Sequence, residues 1–458
     1  MSNKELQIGL FGTFDVENYG DLLFPLIAEA ELTERLGSVQ LHRFSYHRKT
    51  RPDWPYPVTS LTELPRMAHK LDGVLIGGGF LIRFDKLVAP GYGPTTPAIH
   101  HPTGYWLTPA LIALQHGIPL IWNSPGMDCN DIPGWADPLM RLVFGNSRYI
   151  RVRDELSRAA LARYIDKEPI SVVPDTAFGI SRLLDDQRPS AECNRLREAS
   201  GLSGPYIVVQ ATPGLDWFLS FVKKHSQRLR QFRFLALPIG PALGDDEAIL
   251  GDDVPGLVRL RAWPHPLLLA ELISQAAGVV GRSYHLAITA LTFGVPVFSS
   301  ADLTLGKYTA LSAFETVYSL PGKTDIDLNW FLTRLGKTTP TAAAGAAGDR
   351  LVKHWDRVAA VLNRGSDGTQ SEVSRFLQSL PSMLESAKNR YDAAVTESEA
   401  QRLKQQNRIG ELIKLLAMAR AEIVARDDRI EKLLNSPSWK FTIPARFVMR
   451  NLKKLVGK

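Results

Sequence analysis

Two Rossmann-like α/β domains facing a cleft, followed by a C-terminal helical extension, are what this 458-residue sequence predicts. Three observations predict it. Short apolar runs alternate with helix-like segments as far as Gly336, the spacing of a parallel sheet covered on both faces. A polar stretch, Leu184 to Gly204, interrupts the alternation once. Beyond Gly336 the alternation stops, and apolar residues recur every seven positions instead. The expected divisions are a first domain over 1–183, a linker over 184–204 and a second domain over 205–336. A linker over 337–350, a helical or coiled-coil region over 351–435 and a basic aromatic tail over 436–458 follow.

In the first series, Leu6 to Phe11 reads as a buried strand. A glycine-containing loop follows, then an apolar helix from Leu22 to Leu36 with Asp21 as its N-cap. The Asn18-Tyr19-Gly20-Asp21 turn thus lies at the carboxyl end of the first strand. Val74 to Ile76 is a second buried strand running into Gly77, Gly78 and Gly79. Three glycines after a strand let a ligand, or another piece of backbone, come very close. They match neither a dinucleotide fingerprint nor a Walker loop. Trp106 to His116 is a helix, Ile118 to Asn123 a strand, and Tyr149 to Val152 a strand leading into Arg153-Asp154-Glu155-Leu156-Ser157 and a helix. Ile170 to Val173 ends at Pro174-Asp175.

The second series opens with Tyr206 to Gln210, followed by Phe234 to Pro238 and Val258 to Leu260 as strands and Pro264 to Gln275 as a helix. Its key stretch is Gly278 to Pro296. A short apolar strand ends in Gly281, presents Arg282, Ser283, Tyr284 and His285, and passes into a helix stopped by Gly294 and Pro296. Arg282 and His285 therefore fall at a strand-to-helix junction, where first-turn amides favour an anion and where open α/β sheets bind ligands. The stretch alone equally fits a capped helix with a buried histidine bonded to backbone. Val295 to Ser299 is a further strand, and Lys307 begins another helical segment.

Ile409, Leu416, Ile423 and Ile430 recur every seven residues, with Leu412, Ala419, Arg426 and Leu433 between them. This a/d pattern predicts a parallel homodimer, with a charged Arg426 at one d position; a single amphipathic helix is the alternative. From Pro437 to Lys458 the chain carries Lys440, Arg446, Arg450, Lys453, Lys454 and Lys458 and no acid, six of the formal net charge of +7. The body is close to neutral, which argues against a nucleic-acid-coating protein. Aromatics mixed with cations in the tail suit an anionic membrane surface, or else a solvated basic end. Cys129 and Cys193 lack CxxC spacing, so neither a disulfide framework nor a zinc site is expected. MSNKELQIGLFG has no signal-peptide layout, and no apolar run reaches the ~18 residues of a spanning helix. A cytoplasmic protein is expected, peripheral at the inner face of the membrane if the tail binds there.

Taken in order, Asn18 to Asp21, Gly77 to Gly79, Arg153-Asp154 with Ser157, Val173-Pro174-Asp175, Gly281 to His285, Gly294-Val295-Pro296 and Lys307 make a set. It resembles the polysaccharide pyruvyl transferase family over roughly residues 6 to 315. The resemblance implies a fold similar to the glycosyltransferase-B type, and transfer of a pyruvyl group from phosphoenolpyruvate to a sugar as a cyclic ketal. It places Arg153, Arg282 and His285 at the donor site. The family commonly reads G-x-R-x-H; here Ser283 stands two before His285, and the arginine three before. Ser438-Trp439-Lys440-Phe441-Thr442-Ile443-Pro444-Ala445-Arg446 resembles a tail appended to bacterial surface-polysaccharide glycosyltransferases.

Phosphoenolpyruvate is compact and highly anionic, so it calls for forked cations and backbone amides. Arg153, Arg282, Lys307 and the helix opening at Ser283 supply them, with His285 as the acid that protonates the methylene carbon. Asn18, Asp21 and Gly77 to Gly79 form the expected acceptor wall, with Asp15 or Asp21 as base. No metal or other cofactor is expected. A membrane-seeking tail favours a lipid-linked acceptor over a nucleotide sugar. The competing readings are a glycosyltransferase with a nucleotide-sugar donor, for which Glu271 is the weak ribose candidate, and a non-catalytic assembly factor working through the coiled coil and tail.

Overall fold

The computed structural model describes residues 5–455 except 87, 93–99, 129–131, 166–169, 186, 252, 261, 321–325 and 366–369. Cys129 therefore lies outside the described residues. Residues 1–380 form one compact unit and 381–458 a second.

Besides a two-stranded sheet, Phe80–Ile82 paired with Gly126–Met127, the first unit contains two large parallel sheets. One has seven strands in the order Thr59–Ser60, Val39–Ser45, Leu6–Phe11, Gly73–Gly77, Leu120–Asn123, Tyr149–Val152 and Ser171–Val172. The other has six, in the order Leu257–Arg259, Arg233–Leu237, Tyr206–Gln210, Gly278–Gly281, Val297–Ser299 and Val317–Ser319. The central strands are buried along nearly their whole length, as apolar runs covered on both faces must be. Each sheet winds outward from a central pair. The winding reverses between Leu6–Phe11 and Gly73–Gly77 in the first, and between Tyr206–Gln210 and Gly278–Gly281 in the second. Such switch points leave a crevice at the carboxyl ends of the strands.

Helix α1 (Tyr19–Leu36) begins at Asn18. Asp21 is thus not the N-cap that the sequence suggested. It lies in the first turn, where its carboxylate accepts from Asn18 Nδ2 at 2.9 Å. Helix α2 (Tyr284–Thr292) is capped by Ser283, whose Oγ accepts from the Leu286 amide. The two helices pack together: Tyr19 Oη and Thr289 Oγ1 share a buried hydrogen bond of 2.8 Å. The Tyr19 amide also donates to Ile239 O at 2.9 Å. One apolar core runs through both sheets, including Ile8, Leu10, Val208, Val279 and Ile288.

Two segments expected to be linkers are not extended. Residues 184–204 contain a helix, Ala191–Ala199, capped by Ser190. Ser190 also donates from N and Oγ to Glu271 at 2.8 and 2.6 Å, so Glu271 is occupied and is no ribose ligand. The alanine-rich 338–348 stretch opens helix α3 (Ala342–Arg364), capped by Thr341. Alanine is the strongest helix former, and the small buried Ala344 and Ala347 permit close packing. This helix returns the chain to the first sheet. His354 bonds Asn123 Oδ1 at 2.8 Å and Tyr149 Oη at 3.1 Å. Arg35 reaches Asp356 at 2.8 Å.

Helix α4 (Gln370–Asn435) carries the heptads. Ile409, Leu416, Ile423 and Ile430 are each more than half exposed on the single chain. Arg426, at the charged d position, pairs along the helix with Glu422 at 3.1 Å. Among the described residues, no helix is long and apolar enough to cross a membrane.

Candidate active site

The crevice between the two sheets encloses about 230 Å³. Asn18, Asp21, Phe80 and Arg83 line it from the first domain, and Arg282, Ser283, Tyr284, His285 and Lys307 from the second. Arg153 and Gln210 also line it, at the ends of their strands. The sequence had also assigned Gly77, Gly78 and Gly79 to the acceptor wall. All three have positive φ, at 132°, 49° and 83°. A side chain at Gly78 would run into Phe24 of α1, and one at Gly77 into the Asn123 carbonyl. The glycines fold the backbone around the start of α1 and are not among the cleft-lining residues; the next residue, Phe80, is. Asp15 is likewise committed elsewhere. It accepts from Ser45 Oγ at 2.6 Å and the His47 amide at 2.7 Å, and lies outside the cleft lining.

Arg153 follows the strand Tyr149–Val152. The next residue, Asp154, caps a helix by accepting from the Ser157 amide at 2.7 Å, and Ser157 Oγ accepts from the Met127 amide at 2.9 Å. The turn therefore fixes where the guanidinium goes. Its side chain is 2% exposed and lies over the rings of Phe80 and Tyr284, 5.1 and 5.6 Å from their centroids. A Cβ at Gly126 would fall on the guanidinium, so glycine makes room for it. Asp154 and Asp175 stand 3.5 and 3.6 Å away. Nε and one terminal nitrogen have no hydrogen-bond partner. A buried guanidinium with unmade bonds is costly unless a ligand completes them.

His285 reaches the same point from the second domain. Its Nε2 lies 3.7 Å from Asp175 Oδ2, and neither atom has a hydrogen-bond partner. Burial opposes ionisation of Asp175, but the His285 imidazole and the Arg153 guanidinium outweigh it and hold the carboxyl below the usual range. On its other side the imidazole lies against α1. A Cβ at Gly20 would land on His285 Nδ1. Asp21, at the cleft floor, is pushed above the usual carboxylate range by burial, with His285, Thr13 and Lys307 opposing.

The helix opening differs from expectation in one respect. The amides of Arg282 and Ser283, expected to hold the donor, both donate to Gln210 Oε1 at 2.8 Å. Gln210 is anchored in turn through Nε2 to Asp245 at 2.9 Å. Those two amides are already satisfied and are not open to a ligand. Arg282 itself is exposed at the rim of the cleft.

Lys307 lies 5.8 and 5.2 Å from the Tyr284 and Tyr308 ring centroids. Burial, and then the Arg153 guanidinium, push its ammonium down to about 8, with Asp21 and Asp175 opposing. The sign follows: Lys307 is a cation below that pH and loses its charge above it. Affinity for an anionic donor should therefore fall as the pH rises through about 8, and Lys307→Met should remove that limb of the titration. A flat calorimetric profile in the unsubstituted protein would take Lys307 out of the anion site.

Gly20, Gly126, Asp175 and Gln210 were not among the expected site residues. Asp175 sat within the Val173-Pro174-Asp175 motif, and a glycine in the first turn of a helix is itself a signal, since it weakens the helix.

Two doubly wound sheets sharing a core, with the buried Arg153 guanidinium at their common crevice, define a two-domain α/β protein of the glycosyltransferase-B arrangement. The chain belongs to the polysaccharide pyruvyl transferase family, whose family model matches residues 18–301, and it is accordingly a transferase. No curated protein sequence matches it. Among solved structures, it is similar to the UDP-GlcNAc 2-epimerase from Neisseria meningitidis bound to UDP-GlcNAc, at 14% identity over 76% of this chain and 99% of that one, with a TM-score of 0.44. It is also similar to the UDP-N-acetylglucosamine 2-epimerase from Rickettsia bellii, at 13% identity over 79% and 98%, with a TM-score of 0.49.

Proposed function

We propose that this enzyme transfers the pyruvyl group of phosphoenolpyruvate to two hydroxyls of a sugar, in a cell-surface polysaccharide or its lipid-linked precursor, forming a ketal on the cytoplasmic side. The observation that carries this reading is Arg153: a buried guanidinium with unmade hydrogen bonds, beside Lys307 and His285, in a crevice sized for a compact anion. Arg153 and Lys307 bind the phosphate and carboxylate. Arg282 guards the rim.

A sugar hydroxyl adds to the enol carbon while His285 delivers a proton to the methylene carbon. Asp21, whose raised basicity suits it to the task, takes the hydroxyl proton. The bond from that carbon to the phosphate oxygen then breaks, and phosphate leaves. The second hydroxyl closes the ketal, and its proton goes to the departing phosphate. The test is to incubate the purified chain with phosphoenolpyruvate and a sugar acceptor, and to follow phosphate release and product mass. A pyruvate-sized increment, far smaller than a hexose, with equal phosphate release supports the reading. A hexose increment from a nucleotide sugar overturns it.

The heptad face of α4 pairs with a second copy in this reading, since its a and d side chains are exposed on one chain. The double substitution Leu416→Asp with Ile423→Asp is expected to convert a dimer to a monomer in sedimentation equilibrium. A monomeric parent protein would end the idea.

A further inference from the structure

We infer that the C-terminal corner is a membrane-surface element that seats on anionic phospholipid headgroups. The inference stands apart from the transfer reaction. Two helices build the corner: α5 (Pro437–Phe441) and α6 (Ile443–Leu455). Several motif residues are spent on holding it. Ser436 Oγ accepts from the Trp439 amide at 3.2 Å, and Thr442 Oγ1 donates to Ser438 O at 3.0 Å. The Arg446 guanidinium stacks 3.5 Å from the Trp439 ring centroid and donates to the Trp439 carbonyl.

Large apolar side chains of the corner face outward. Phe441 is 88% exposed and Phe447 67%, with Val448, Met449 and Leu452 each about half exposed or more. Val448 and Leu452 share one face of α6 at i, i+4, flanked by Ala445 and Met449. Arg446 and Arg450 share the opposite face. At 13 residues α6 is about 20 Å long, too short to span a bilayer. An apolar face, a basic face and exposed aromatics at the corner are the features of a helix lying in the plane of the interface.

Charge decides what covers this surface. From Pro437 to Lys458 there are six cations and no acid. A second copy would bring the same charges and be repelled. An anionic bilayer offers apolar depth for Phe441 and Phe447, together with a negative potential for the lysines and arginines.

The test uses the full chain in vesicle co-sedimentation. Neutral phosphatidylcholine vesicles are set against vesicles containing about one-third phosphatidylglycerol. The expected result is pelleting with the anionic vesicles, release at about 0.5 M salt, and at least a roughly tenfold loss of binding in the double variant Phe441→Ser with Phe447→Ser. Both phenylalanines are exposed, so the variant should keep the parent's melting temperature and donor affinity. Equal partition onto neutral and anionic vesicles, no partition onto either, or unchanged binding by the double variant would each overturn the inference. So would a change of oligomeric state in that variant, which would assign the surface to a second copy.

Discussion

Arg153→Ala should lower turnover by at least ~10²-fold, the low end for removing a preorganised charge. The guanidinium is fixed on every side. Asp154 and Ser157 shape its turn, Phe80 and Tyr284 flank it, and Gly126 leaves it room. The neighbouring amides of Arg282 and Ser283 cannot take over its hydrogen bonds, because both are bonded to Gln210. Arg153→Lys should not rescue, since an ammonium cannot reproduce a fork lying between two rings. Donor affinity and turnover should fall together. A folded Arg153→Ala variant with near-normal kinetics would show that the unmade bonds serve no ligand.

His285→Ala should be as severe, at least ~10²-fold, because among the described residues no other imidazole lines the crevice to deliver the proton. Gly20→Ala is the sharper companion. It deletes none of the cleft side chains, yet its methyl group would land on His285 Nδ1. The imidazole must swing away from Asp175 or α1 must shift, at a cost of about 1–3 kcal/mol typical of overpacking. Turnover should drop well beyond any change in donor affinity, which Arg153 and Lys307 dominate. Wild-type turnover in a stable Gly20→Ala variant would remove His285 as the acid.

Much of the fold was legible in the sequence because parallel strands buried on both faces read as unbroken apolar runs. LQIGLF, YIVVQ and GVVG each point to their strand without any tertiary knowledge. The Arg282-to-His285 junction was legible for a similar reason: a glycine ends a strand, and a serine caps the helix that follows. What escaped was whatever depends on pairing across the chain. Gln210 looks like the end of a strand, and only the Tyr206–Gln210 to Gly278–Gly281 pairing brings its amide to the helix opening. Asp175 becomes a partner of Arg153 and His285 only when both sheets are assembled. The alanines of α3 carry no periodic apolar signal, because their role is close approach rather than bulk. Gly77 to Gly79 admitted both a ligand and a piece of backbone, and what comes close is the Asn123 carbonyl at Gly77 and the Phe24 ring at Gly78.

The family's usual arginine, two residues before the histidine, is here the cap Ser283, with Arg282 displaced to the rim. In the proposed reaction the buried Arg153 and the half-buried Lys307 are then the cations that grip the donor. The most direct test is calorimetric titration of phosphoenolpyruvate, set against a panel of nucleoside diphosphates, into the wild type, Arg153→Ala and Arg282→Ala. The account predicts phosphoenolpyruvate binding that is abolished by Arg153→Ala, weakened by Arg282→Ala, and preferred over every diphosphate. Tight binding of a nucleoside diphosphate without phosphoenolpyruvate, or phosphoenolpyruvate binding that survives Arg153→Ala unchanged, would contradict it.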